Sequence, residues 1–143
     1  MKKTQLIIRI LILLTIGSLA YSQTHGLYSI MNKIQKVCKA YQIEVKMQDI
    51  KVERDLDNDL VLILKLDSRR TNYDSMMMAG FYSVAKALES EKNFLDIKKV
   101  SIVVTVQGRD NLTIYSTAGI DDLIRLKNGS LSSEEFRNKI VYI

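Results

Sequence analysis

The sequence contains no proline, and it has only one cysteine and one histidine in 143 residues. Without proline no helix or strand meets that internal breaker, so glycine, asparagine and aspartate must form the turns. A single cysteine excludes an internal disulfide, so packing alone has to stabilise the fold. A single histidine, His25, leaves almost no basis for histidine-dependent catalysis or for a His-rich metal site.

A strong basic charge is also missing from most of the chain. The net charge is +5, but Lys2, Lys3 and Arg9 lie in the first 22 residues, which contain no acid. The remainder has 18 basic and 16 acidic residues and carries only +2. Because nucleic-acid-binding proteins usually concentrate basic residues on one face, we expect no nucleic-acid partner. The hydrophobic content of 47% favours a folded domain over a disordered chain.

Residues 1–22 have the layout of a secretory signal peptide. Two lysines open the segment, an apolar run of eleven residues follows, and Ala20 and Ser22 occupy the −3 and −1 positions of a cleavage site. Cleavage at this point leaves residues 23–143 as one exported domain. We therefore predict that the protein works in the periplasm or is secreted.

An uncleaved membrane anchor is the competing interpretation of the same segment. Leu6 to Ala20 is a stretch of fifteen residues that includes Arg9, whereas a spanning helix needs about 20 apolar residues. Arg9 could extend its charged end to the cytoplasmic surface, which keeps an anchor open. In that case the domain is membrane-anchored but still lies outside the cytoplasm.

Hydrophobic periodicity predicts a two-layer α+β domain behind the leader. The order α-β-β-α-β-β-α-α favours a four-stranded, mainly antiparallel sheet with its helices on one face. The first strand needs a bulge near Gln48 and Asp49, where its apolar alternation changes phase. The predicted helices cover 24–41, 72–90, 119–127 and a short segment opened by Ser132 and Glu135, and the predicted strands cover 42–54, 60–66, 97–107 and 112–116.

Asp55, Asp57 and Asp59 alternate as they do at the start of a calcium-binding loop. The glycine that should follow is Leu60, and the glutamate that should close the loop is Leu66. Those two positions normally make the sharp turn and supply the bidentate ligand. We therefore expect a solvated hairpin turn, with a weak, nonstandard calcium site as the alternative, and we expect no metal or cofactor.

Other conspicuous residues fit structural roles. Cys38 lies on the apolar face of the first helix and is expected in the core. Met76–Met78 are consecutive helical residues that cannot converge on one ion, so core filling is expected for them too. Gly80 interrupts a helix, which indicates a close approach of that helix to the sheet. The pair Lys98-Lys99 is expected at a solvated loop end.

The favoured function is an exported, non-enzymatic binding or interaction module of the cell envelope or extracellular space. Its partner would be another protein or an envelope component, and a homodimer through the sheet is a variant of this prediction. Two-layer folds leave one sheet face open. The polar residues predicted on that interaction face are Glu44, Lys46, Ser101, Thr105 and Thr113.

Two other classes of function stay open. A membrane-anchored accessory subunit would retain its N-terminal helix and contact the membrane. A small hydrolase using carboxylates is less favoured, because the sequence contains no GxSxG, CxxC or Gly-rich phosphate motif and predicts no catalytic residues.

Overall fold

The structure is a computed structural model that describes residues 26–89 and 96–143. The predicted leader and His25 lie outside the described residues. Helices cover 26–40 (α1), Tyr73–Glu89 (α2), Ile120–Lys127 (α3) and Ser133–Arg137 (α4), with a 3₁₀ turn at Met47–Asp49. Strands cover Ile50–Arg54 (β1), Leu60–Arg69 (β2), Ile97–Gln107 (β3), Leu112–Gly119 (β4) and Val141–Tyr142 (β5).

The strands form one mixed sheet in the order β1-β2-β3-β4-β5. β1 and β2 pair antiparallel, as do β3 and β4, and β4 and β5. The central pair, β2 and β3, is parallel. Two α-β-β units therefore meet along a parallel seam in the middle of the sheet.

The α+β class is confirmed, and the predicted four-stranded, mainly antiparallel sheet is matched only roughly, because the sheet has five strands and its central pair is parallel. A fifth strand follows α4, and it is too short for a periodic signal. The parallel seam arises because α2 separates β2 from β3. Antiparallel strands can be joined by a tight turn, whereas parallel strands need a crossover, and a helix of 17 residues serves as one.

The first predicted strand begins later than its apolar alternation suggests. Residues 43–46 are in no helix or strand, Met47–Asp49 form the 3₁₀ turn, and the ladder begins at Ile50. The change of phase that predicted a bulge is therefore produced by this turn. Ile43 and Val45 still contribute buried side chains, which explains why the segment alternates without being a strand.

A single apolar core joins the helices to one face of the sheet. Cys38, Met77 and Met78 belong to it, so their predicted core roles are confirmed. Gly80 is also confirmed as a close-approach position, since a Cβ there would lie 2.9 Å from Leu66 Cδ1 and 3.1 Å from Ile102 Cγ2. The side chains that the central strands turn toward this core are Leu62, Leu64, Leu66, Val100, Ile102, Val104 and Val106.

Ser132 and Glu135, predicted to open the last helix, form a capping box at the start of α4. The Glu135 amide donates to Ser132 Oγ at 3.2 Å, and the Ser132 amide donates to Glu135 Oε2 at 2.9 Å. These bonds satisfy amides that a helix start leaves without partners. They seat α4 so that the buried Phe136 ring meets Phe81 edge-on, with the ring centroids 5.2 Å apart.

Within residues 26–89 and 96–143, no helix is both long enough and apolar enough to cross a membrane.

Candidate functional site

The acidic turn between β1 and β2 is organised by its own backbone. Asp55 Oδ1 accepts hydrogen bonds from the amides of Asp57 and Asp59, each at 3.0 Å. The Asn58 amide donates to the Asp55 carbonyl, and Asn58 has φ of 64°, the left-handed conformation that asparagine tolerates well. The predicted hairpin turn is therefore confirmed.

The three aspartates of this turn surround the ammonium group of Lys99 on β3. One carboxylate oxygen from each lies within 4.8 Å of the others. Lys99 Nζ lies 2.7 Å from Asp55 Oδ2, 3.3 Å from Asp57 Oδ2 and 3.2 Å from Asp59 Oδ2. A charged group of this chain thus sits where the calcium alternative would place its ion, and the cluster joins the β1–β2 turn to β3.

Electrostatics in the cluster follow from this geometry. The hydrogen bond from Lys99 is the main cause that holds the pKa of Asp55 below its ordinary value. Hydrogen bonds to Asp55 and then to Asp59 raise the pKa of Lys99. Lys99 therefore stays protonated and Asp55 stays ionised at neutral pH. A general acid needs the opposite shift, a raised carboxyl pKa.

A β-bulge in β3 directs the Lys99 side chain toward the β1–β2 turn. Leu60 pairs with Ile97 but Val61 pairs with Lys99, so Lys98 is an extra residue on β3. The bulge shifts the alternation, which places Lys99 on the face away from the helical core. The sequence predicts the same solvated environment for both lysines, yet Lys98 forms an exposed ion pair with Asp96 at 2.7 Å, while Lys99 is half-buried among the three aspartates.

The face of the sheet turned away from the helical core carries three of the five predicted interaction residues. Ser101 pairs in register with Thr117, and Thr105 pairs with both Asp67 and Thr113. Because alternate residues of paired strands share a face, Ser101, Thr105 and Thr113 lie together. We call this side of the sheet, formed by β1–β4 with β5 at its border, the open face.

Exposure differs among these three residues. Thr113 is exposed and Thr105 is half-buried. Ser101 is buried, and its Oγ accepts a hydrogen bond of 3.1 Å from Thr117 Oγ1. Thr113 and Thr105 are therefore available for contact, whereas Ser101 mainly supports its neighbours.

Glu44 and Lys46 do not lie on the open face. Both are exposed in the segment before the 3₁₀ turn, outside the strand ladder. The Lys46 amide donates to Asp49 Oδ2 at 2.8 Å, which fixes the turn. Glu44 lines a wide groove of about 610 Å³ between α1 and this segment, together with Gln35 and Gln42. Their predicted place on the sheet depended on a strand that starts at Ile50 instead.

Exposed apolar side chains at the β4–β5 border were missed by the sequence analysis. Tyr115 is 47% exposed, Val141 60% and Ile143 85%. Val141 pairs with Thr117, and the Ile143 amide donates to the Tyr115 carbonyl at 3.0 Å. The three side chains therefore share the open face beside Thr113. The only available signal was the apolar pattern of the last three residues, which is too short to predict a strand.

Cys38 offers no reactive thiol. Its side chain is fully buried, and burial raises the pKa of the thiol while the hydroxyl of Ser83 beside it acts in the opposite direction. Since the thiolate is the nucleophilic form, a buried thiol with a raised pKa is inert.

Comparisons with protein-family models, with curated proteins and with solved structures find no match for this chain.

Proposed function

We propose that this protein is an exported, non-enzymatic interaction module that binds another protein of the cell envelope or extracellular space through the open face. Export is proposed from the layout of residues 1–22. The binding role is supported by one observation above the rest. Tyr115, Val141 and Ile143 form a group of exposed apolar side chains beside the exposed Thr113.

This combination of side chains suits a protein partner. Exposed apolar groups that cluster on one surface are typical of interaction sites, and tyrosine is enriched at interfaces because its ring is large and its hydroxyl is polar. Threonines supply hydrogen bonds without the desolvation cost of a full charge. Lys65 and Asp67 add one charge of each sign at the opposite side of the open face.

The hydrolase alternative receives less support from the same structure. Its most prominent carboxylate group, at Asp55, Asp57 and Asp59, is held by Lys99. The hydrogen bond from Lys99 lowers the pKa of Asp55, and hydrogen bonds in the capping box lower the pKa of Glu135. Both shifts favour ionised carboxylates in structural roles, so the binding module remains our proposal.

Site-specific photocrosslinking tests the binding role in the cells that produce the protein. A photoreactive residue at Thr113 should form an adduct with a protein partner, and Tyr115→Ser should reduce its yield several-fold. The matched control is the same photoreactive residue at Glu134, which is exposed on α4 away from the open face. No adduct at Thr113, or equal adducts at both positions, would contradict the proposal.

The membrane-anchored subunit remains the second candidate because Leu6 to Ala20 is a largely apolar stretch of fifteen residues. An intact mass of the protein recovered from cells separates the two. We expect a chain that starts at Gln23, whereas a mass that includes Met1, found in the membrane fraction, would favour the anchored form.

A further inference from the structure

β1 is an edge strand with unused backbone groups. It pairs with β2 on one side, and no other strand of the described residues lies beyond it. Such an edge is a template for pairing with another strand. The open face lies on the surface of the same sheet, so strand pairing at this edge does not depend on whether that face binds a partner.

The turn geometry determines which backbone groups point outward. The Asp55 amide donates to the Asp59 carbonyl, so Asp55 and Asp59 form a hydrogen-bonded pair. Such pairs alternate along an antiparallel ladder, so Glu53 and Lys51 bond inward to β2. The amide and carbonyl of Val52, which lies between them, therefore face outward, and within the described chain they have no hydrogen-bond partner.

Arg54 and Ile50 extend this free edge on either side of Val52. The amide and carbonyl of Arg54 point outward by the same alternation, and so does the carbonyl of Ile50. The Ile50 amide is already used, since it donates to the Met47 carbonyl of the 3₁₀ turn. A strand added here could form hydrogen bonds with Val52, with Arg54 and with the Ile50 carbonyl.

The charges on β1 complement those of an identical strand. Lys51 and Glu53 are exposed on the open face, and their neighbours across the ladder are the apolar Ile63 and Val61. Neither forms an ion pair with another residue that the structure describes. An antiparallel copy centred on Val52 would place Lys51 opposite the partner's Glu53, and Glu53 opposite the partner's Lys51.

We propose that β1 pairs antiparallel with β1 of a second copy of this chain, about a two-fold axis at Val52. Charges on an edge strand often prevent pairing, but they do so when like charges meet. Here both cross-strand pairs are of opposite sign and lie at non-hydrogen-bonded positions, where side chains are closest. The dimer would join the two sheets into one continuous sheet.

The interface is small, so the dimer is expected to be weak. A strand of five residues supplies two backbone bonds at the Val52 pair and one from each Arg54 amide to the partner's Ile50. Interfaces of this kind fall at the low end of the size range for specific complexes. We expect dissociation in the range of about 10 μM to 1 mM, where self-association is measurable by sedimentation velocity.

Charge exchange on the protein produced from its full-length sequence is the first test. Lys51→Glu and Glu53→Lys should each weaken dimerisation by about tenfold or more, since each puts like charges together twice. The double variant, Lys51→Glu with Glu53→Lys, should restore it. The proposal would be overturned if the wild-type chain were monomeric at 1 mM, or if either single substitution left dimerisation unchanged. Urea unfolding of each variant verifies that it is folded.

Cysteine crosslinking tests the register independently of affinity. Chains carrying Lys51→Cys should form a disulfide with chains carrying Glu53→Cys, because opposed non-hydrogen-bonded residues have Cα atoms about 4.5 Å apart. Either chain alone should crosslink poorly, since its cysteines would be diagonal neighbours about 7 to 8 Å apart.

The native thiol does not interfere, because Cys38 is buried. Equal crosslinking in the single and mixed samples would reject the register. Crosslinks to a different protein in place of a second copy would show that β1 takes a foreign strand, and would equally overturn the proposal.

Discussion

The two faces of the sheet are made by the same strands but are held by different forces. On the helix-covered face, Val104 and its neighbours are fully buried in one apolar core. On the open face, Val103 is also nearly buried, at 5% exposed, but it lies outside that core and has Lys65 and Tyr115 beside it in register. The helix-covered face is held by apolar packing, whereas the open face combines small buried side chains with charged ones.

Substitutions on the two faces of this one ladder should therefore differ in their effect on stability. Packing on the helix side tolerates no change of volume without cost, because protein interiors are close-packed. On the open face, the neighbours of Val103 in register are the sheet side chains of Lys65 and Tyr115, which can move when Val103 is altered. The Lys99 cluster belongs to this second side and replaces apolar cover with an ionic link between β3 and the β1–β2 turn.

The largest expected effect distinguishes the faces by truncating adjacent valines of β3. Val104→Ala should lower the free energy of unfolding by about 2 to 3 kcal/mol, because it leaves a cavity in the core. Val103→Ala removes the same two methyl groups on the open face and should cost about 1 kcal/mol, since neighbouring side chains can close over it. Urea denaturation measures both, and equal losses would remove the distinction.

A smaller effect is expected from Lys99→Met, which keeps the length of the side chain and removes its charge. Three carboxylates would then face one another without their cation, so the urea midpoint should fall. Lys98→Met is the matched control, since the ion pair of Lys98 with Asp96 is exposed and its loss should change the midpoint little. The destabilisation should shrink at high salt, which screens the repulsion. A loss that salt does not alter would indicate a packing role for Lys99.

The smallest effect is the contribution of Asp55 to acid sensitivity. The pKa of Asp55 is lowered in the folded protein, so its stabilisation is present above the ordinary aspartate value of about 3.9 and is lost as the pH falls through the folded value. Asp55→Asn can still accept the two turn hydrogen bonds but carries no charge. Its unfolding free energy should depend less on pH below about 4 than that of the wild type. Parallel pH curves would show that Asp55 does not titrate with folding.

Much of the secondary structure could be predicted because each element carries a local signal. The alternation of Val100, Ile102, Val104 and Val106 predicted β3, and the pattern from Tyr73 to Leu88 predicted α2. Gly80 was correctly interpreted because a glycine inside a helical stripe indicates close packing. The 3₁₀ turn before β1 was misjudged because Ile43 and Val45 alternate like strand residues while lying outside the ladder.

The candidate site was harder to predict from the sequence, because its residues come from segments that are far apart in the chain. Thr105 and Thr113 were placed on one face by the hairpin that connects their strands. Lys99 could not be assigned to the acidic turn, because their contact spans 44 residues and depends on the parallel seam and on the bulge at Lys98. Val141 and Ile143 could be assigned to the open face only from their pairing with β4.

The sequence by itself determined the α+β class, the helices, most of the strands and the apolar side of β3. These follow from periods of 3.6 and 2 residues, which act between near neighbours in the chain. The tertiary structure decided which strands are neighbours, which pair is parallel and where Lys99 and the free edge of β1 lie. Those features depend on contacts between segments that are far apart in the chain, so the periodicity of neighbouring residues does not predict them.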